Sequence, residues 1–201
     1  MKRYFILAAC AAMFSLGNLS ATLAQETTDQ KKEETKTAEP FDVTVCDGKL
    51  SFKADGNWKM VPPKSRILEA ELKIPRTGDD EADGRLTIMG AGGSVEANIQ
   101  RWQMQFKQPD GSATSEKTKV VKEEVDDQEV NFVDITGTFL DSPGGPFSGR
   151  PKVEREDYRM LAAIIATKSN GQYFLKLYGP KATIDKNAKE FKEMVKSMTT
   201  N

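Results

Sequence analysis

The stretch Met160–Ala166, MLAAIIA, is apolar at every position and is followed by the turn triplet Ser169, Asn170 and Gly171. It reads as a central strand, with Tyr173 to Tyr178 pairing back on it as a hairpin. A strand that is apolar on both faces must be covered on both, so the rest of the chain has to supply two covers.

The sequence offers two amphipathic helices for that purpose. In RLTIMGAGGSVEANIQRWQMQF, Arg85 to Phe106, Leu86 and Ile88 fit a partly buried strand, and Gly90, Gly92 and Gly93 supply a turn. Ser94 is a suitable N-cap, and Glu96 suits the positive end of the helix dipole. Val95, Ile99, Trp102 and Phe106 recur at i, i+4, i+7 and i+11, one face of a helix that Pro109, Asp110 and Gly111 end. The second cover is a closing helix from about Thr183 to Ser197, with Ile184, Ala188, Phe191, Val195 and Met198 in one stripe.

Between these lie short alternating segments. Phe41, Val43 and Val45, then Leu50 and Phe52, make a hairpin joined near Asp47-Gly48. Arg66 to Ile74 reads as a strand, Val120 to Val125 as another, and Glu129 to Leu140 as a long return strand towards an edge, with Val133, Ile135 and Phe139 facing the core. Cys46 reads as a buried strand residue, with a reactive thiol as the alternative. The expected architecture is α+β: a largely antiparallel sheet with helices on both faces, forming a single domain over residues 41–201.

Residues 1–24 carry Lys2 and Arg3, an apolar run and then small residues, the pattern of a secretory signal peptide cleaved after Ala24. Leu7-Ala8-Ala9-Cys10 spells a lipobox, but the apolar run continues beyond Cys10, which disfavours lipid anchoring there. The run is too interrupted for a membrane span. Residues 25–40 mix charges and threonines without a large aliphatic side chain and read as a disordered linker. Removing the signal segment takes two cations from a chain whose formal charge is already -1, which argues against nucleic acid as a partner. It also leaves Cys46 alone, so no internal disulfide forms and the fold rests on its core.

The chain contains no histidine, which excludes histidine-dependent triads and histidine-ligated zinc. There is no GxSxG elbow or P-loop, and the glycines at 90, 92 and 93 fail the dinucleotide pattern because Val95 stands where a third glycine belongs. A calcium loop started at Asp79 would place Gly90 where a bidentate glutamate is required. No cofactor and no metal is expected. The candidates for partner or ligand binding are Gly92, Gly93 and Ser94, whose amides open the helix, and Asn98, Arg101 and Gln105 along its polar side. Arg150 joins them from the long loop of residues 141–157. The competing reading of that stripe is an ordinary solvated face.

The turn Gly92-Gly93 with Ala97-Asn98 and Arg101-Trp102, the run Tyr158 to Ala163, and Phe174-Leu175-Lys176 before Gly179-Pro180 together resemble a family of small exported bacterial proteins without an assigned activity. That resemblance covers roughly Trp58 to Met198. The order of elements is also similar to the Mog1/PsbP-like fold, an α/β/α sandwich whose members are mainly accessory or protein-binding modules; it carries no functional residue across. The function these readings favour is an exported, non-enzymatic binding or accessory module of the bacterial cell envelope, periplasmic or extracellular, with another envelope protein as partner. Two alternatives stay open: a carboxylate-dependent hydrolase of an envelope glycan or ester, and an anion- or calcium-binding protein.

Overall fold

The computed structural model describes residues 38–144 and 149–200. The signal segment, Cys10 and the leader through residue 37 lie outside the described residues. In chain order the elements are β1 (Phe41–Val45), β2 (Leu50–Ala54), β3 (Lys59–Val61), β4 (Ala70–Ile74), β5 (Gly84–Ala91) and α1 (Val95–Gln103). They continue with β6 (Phe106–Lys107), α2 (Thr114–Lys117), β7 (Lys119–Val125), β8 (Gln128–Asp141) and β9 (Val153–Ala166). The last are β10 (Gln172–Pro180), α3 (Lys181–Lys186), α4 (Ala188–Lys196) and β11 (Thr199–Thr200).

The larger sheet runs β3-β4-β5-β10-β9-β8-β6, with β7 on β8 as well, and its pairings are antiparallel. β1, β2 and β11 form a small separate sheet. Alternation along β9 sends Met160, Ala162 and Ile164 to one face and Leu161, Ala163 and Ile165 to the other, all buried. On the first face α1 supplies Trp102, which meets Phe174 edge-on with ring centres 5.2 Å apart. The second face is covered by α3, α4 and the small sheet, through Ile184, Phe191, Val195 and Phe52. Each of these large side chains contributes about 1.5–3 kcal/mol on burial. The α+β sandwich, with one cover from the middle of the chain and one from its end, is therefore the observed arrangement.

Several local expectations are corrected. The middle helix stops at Gln103, and Phe106 belongs to β6 instead, paired with Phe139 on the outer edge of β8. The edge amide of Leu140 donates to the Gln105 carbonyl at 2.8 Å, so an unsatisfied strand edge outweighs the helical preference of the segment. The closing helix is two helices broken at Asn187, whose side-chain amide donates to the Thr183 carbonyl while its oxygen accepts the Trp58 indole N–H, both at 2.8 Å. An asparagine that captures backbone in this way competes with the helix. The Arg66–Ile74 strand is shorter than expected, starting at Ala70. Cys46 is half-buried but lies in the β1–β2 turn with φ 57°, not within a strand. The long loop is also shorter at both ends, because β8 reaches Asp141 and β9 begins at Val153.

Two glycines separate backbone need from mere permissiveness. Gly137, inside β8, has φ +144°, and a Cβ there would sit 2.7 Å from the Lys107 carbonyl oxygen. Gly92 has open space around it. Gly137→Ala is expected to cost about 2 kcal/mol or more, while Gly92→Ala stays within about 0.5 kcal/mol, read from urea midpoints of the two variants.

Candidate functional site

Strand registers assemble the site. Lys73 lies opposite Arg85, Arg85 opposite Tyr178 and Tyr178 opposite Met160, so one row crosses β4, β5, β10 and β9 on the face that carries α1. The next row is Glu71, Thr87, Lys176 and Ala162. These rows are apolar at β9, with Met160 and Ala162, and polar or aromatic across β4, β5 and β10. An open cleft of about 1280 Å³ lies there. Its wall is the C-terminal part of α1 and the turn after it, with Arg101, Met104 and Gln105. The end of β8, the connection after it and the start of β9 contribute Asp141 to Gly144, Lys152 and Arg155, and Lys64 and Ser65 also line it. Phe139, Tyr158 and Tyr178 form the aromatic part of the floor.

The deepest ionic contact is between Arg85 and Glu71. The guanidinium donates from Nε and one terminal nitrogen to the two carboxylate oxygens at 2.8 and 2.9 Å, and from the other nitrogen to the Tyr178 hydroxyl at 2.6 Å. Glu71 is only 2% exposed and also accepts the Lys64 backbone N–H. The bidentate bond to Arg85 holds its carboxyl below the usual glutamate range despite burial, and raises the arginine in turn. Asp83 is likewise lowered, by Lys73 at 2.7 Å and the Arg76 amide. Tyr158 and Tyr178 are both pushed up by burial.

Beneath the cleft, the Lys176 amine donates to Gln105 Oε1 at 2.5 Å and lies 5.2 Å from the Tyr178 ring centre and 5.9 Å from that of Phe139. Burial, reinforced by the Arg85 charge, lowers it to about 8. The rings of Phe139 and Tyr158 stack at 7° with centres 6.0 Å apart. That stacking depends on a β-bulge. Gly137 pairs with Tyr158 and Phe139 with Arg155, so two residues of β9, Glu156 and Asp157, oppose the single Thr138, and Asp157 takes φ 50°.

The residues singled out by sequence fall in two places. Gly92, Gly93 and Ser94 are exposed at the N-terminal end of α1, where the Ser94 hydroxyl accepts the Ala97 N–H at 3.1 Å. Asn98 is fully buried, unlike a member of an exposed stripe. Its amide donates to the Gly92 and Ser94 carbonyls and its oxygen accepts from Arg101, so it closes the turn onto the helix. Arg101 and Gln105 do line the cleft. Arg150 is exposed in the β8–β9 connection and is not among the lining residues. Sequence reading passed over Lys64, Glu71, Arg85, Lys152, Arg155 and the tyrosines. A signal for part of this set was present in β10, where Phe174, Lys176 and Tyr178 alternate on one face and place a cation between aromatics.

No helix among the described residues is long and apolar enough to cross a membrane, and no metal-holding cluster of acids and cysteines is present among them. No family model and no curated protein matches the chain. Among solved structures it is similar to the cyanobacterial PsbP (CyanoP) of Synechocystis, at 11% identity and TM-score 0.50, over 84% of this chain and 96% of that one. It is also similar to LpqN, involved in cell envelope biogenesis of Mycobacterium tuberculosis, at 9% identity and TM-score 0.49, over 81% and 91%. The Ran-binding protein Mog1p of Saccharomyces cerevisiae matches at 9% identity and TM-score 0.45, over 82% and 96%. The first likeness establishes the fold as Mog1/PsbP-like, and at such identities it establishes the fold alone.

Two measurements probe this geometry. Glu71→Gln leaves the half-buried Arg85 without its counter-charge and is expected to cost about 2–4 kcal/mol at neutral pH. Because the folded carboxyl lies below its unfolded value of 4.5, the native advantage is complete above that pH. It is lost as pH falls through the lowered pKa, so the gap between wild type and variant in urea titrations narrows in acid. For Lys176, reductive ¹³C-methylation should give a dimethylamine resonance titrating near 8.

Proposed function

We propose that this chain is an exported, non-enzymatic binding or accessory module of the bacterial cell envelope that engages another envelope protein through the cleft. In this reading residues 1–24 are the signal peptide, 25–40 a tether, and 41–201 one folded domain. The observation that carries it is the cleft itself: a wide, open concavity with cations on its walls and aromatic rings on its floor, formed where the helical cover of the sheet ends. Concave surfaces with a few polar groups around an apolar floor are the usual form of a recognition site.

The rival hydrolase reading needs a carboxyl held protonated at neutral pH to act as general acid. The two displaced carboxylates at the cleft, Glu71 and Asp83, are displaced downward by cationic partners, the reverse of that requirement. Acids held ionised by cationic partners in this way do not meet that requirement.

A photo-crosslinker at Lys152, in cells, is expected to capture a defined envelope protein, while one at Lys189 on α4, which does not line the cleft, does not. Equal capture from both positions counts against the cleft. The intact mass of the exported protein is expected to correspond to a chain beginning at Gln25.

A further inference from the structure

The charge around the cleft is unevenly settled. Its described lining holds Lys64, Arg85, Arg101, Lys152 and Arg155 against Asp83 and Asp141. Arg85 is matched by Glu71 at 2.8 Å, Arg155 by Asp141 at 3.4 Å, and Asp83 by Lys73 outside the lining. Lys64, Arg101 and Lys152 have no acid within ion-pair distance among the described residues. Three such cations around one concavity, on a chain whose formal net charge is -1, focus a positive potential into the cleft.

Size and floor narrow the occupant further. At about 1280 Å³ the cleft exceeds the roughly 300–1,000 Å³ of small-ligand pockets. Tyr158, backed by the buried Phe139 ring on which it stacks, offers an aromatic contact in the same lining as the cations. From these observations we infer that the cleft receives an extended acidic peptide segment, its carboxylates meeting Lys64, Arg101 and Lys152 and an aromatic side chain resting on Tyr158. This deepens the binding-module reading and rests on it. The formal net charge of -1 disfavours nucleic acid, and a concave cation set fits a flat lipid surface poorly.

The test is fluorescence anisotropy of the full chain with a dye-labelled heptapeptide of six glutamates around one tryptophan. Companion probes are the same peptide with alanine for tryptophan, a heptalysine, a seven-residue oligothymidylate and phosphatidylglycerol vesicles. Expected is saturable binding of the tryptophan peptide that weakens as salt rises, and weaker binding of every companion. K64E/K152E, at exposed side chains that make no ion pair among the described residues, should weaken it at least about tenfold, the backbone bond from Lys64 to Glu71 being kept, while K186E/K189E, the same charge change outside the cleft, should leave it unchanged. Y158A should abolish the preference for tryptophan over alanine. Absence of saturable binding, indifference to K64E/K152E, or equal or tighter binding of the oligonucleotide or the vesicles would overturn the inference. Should the Lys152 crosslinker still capture an envelope protein that the acidic peptide does not displace, the binding-module reading stands and the acidic-segment inference falls.

Discussion

An apolar strand that must be roofed on both sides meets two roofs of unequal size. On one side α3, α4 and the three-stranded sheet spread over the whole breadth of β4, β5, β10 and β9. On the other side α1 has nine residues, a rod of about 14 Å at 1.5 Å per residue. It crosses a sheet of eight strands spaced about 4.8 Å apart, and so roofs only part of it. Trp102, packed on Phe174, marks where the roof is tight. The cleft is the remainder, and its polarity follows from the mismatch: strand positions that face neither helix nor lipid are free to carry charge.

Carrying charge on a sheet face has a cost, and the local chemistry shows how it is offset. Arg85 could not sit half-buried without the two oxygens of Glu71, and Glu71 could not be nearly sealed from water without Arg85 and the Lys64 amide. The pair also fixes the Tyr178 hydroxyl. That ordering extends through the aromatic cluster, since Tyr178 contacts Phe139, which stacks on Tyr158. The floor of the cleft is thus held in place by one ionic contact at its edge, a rigid platform prepared before any occupant arrives.

Much of the framework could be read from the residues. The both-faces apolarity of Met160–Ala166, the stripe Val95, Ile99 and Trp102, and the stripe of Ile184, Phe191 and Val195 sufficed for the sandwich, because burial of large side chains dominates the energetics. The misreadings share a cause: a distant partner outbid a local preference. Phe106 joined a strand edge provided by Leu140, and Asn187 answered to Trp58, which lies 129 residues away in sequence. The cleft was legible only in part. Arg101 and Gln105 announce themselves on a helix, but Glu71 in an alternating strand looks like any solvated acid until the register brings Arg85, fourteen residues on, diagonally across from it.

The bulge at Glu156 and Asp157 has a bearing on the sign of the cleft. Side chains alternate along a strand, so one surplus residue exchanges the sides to which all residues beyond it point. With the bulge, Arg155 stands opposite Phe139 and Val153 opposite Asp141. In an unbroken ladder continuing from Tyr158 and Gly137, those places would fall to Glu156 and Glu154, and the same sequence would present carboxylates where it now presents a guanidinium. The parity of a single backbone insertion therefore determines whether this rim attracts anions or cations, a choice that no inventory of the chain's charges could reveal.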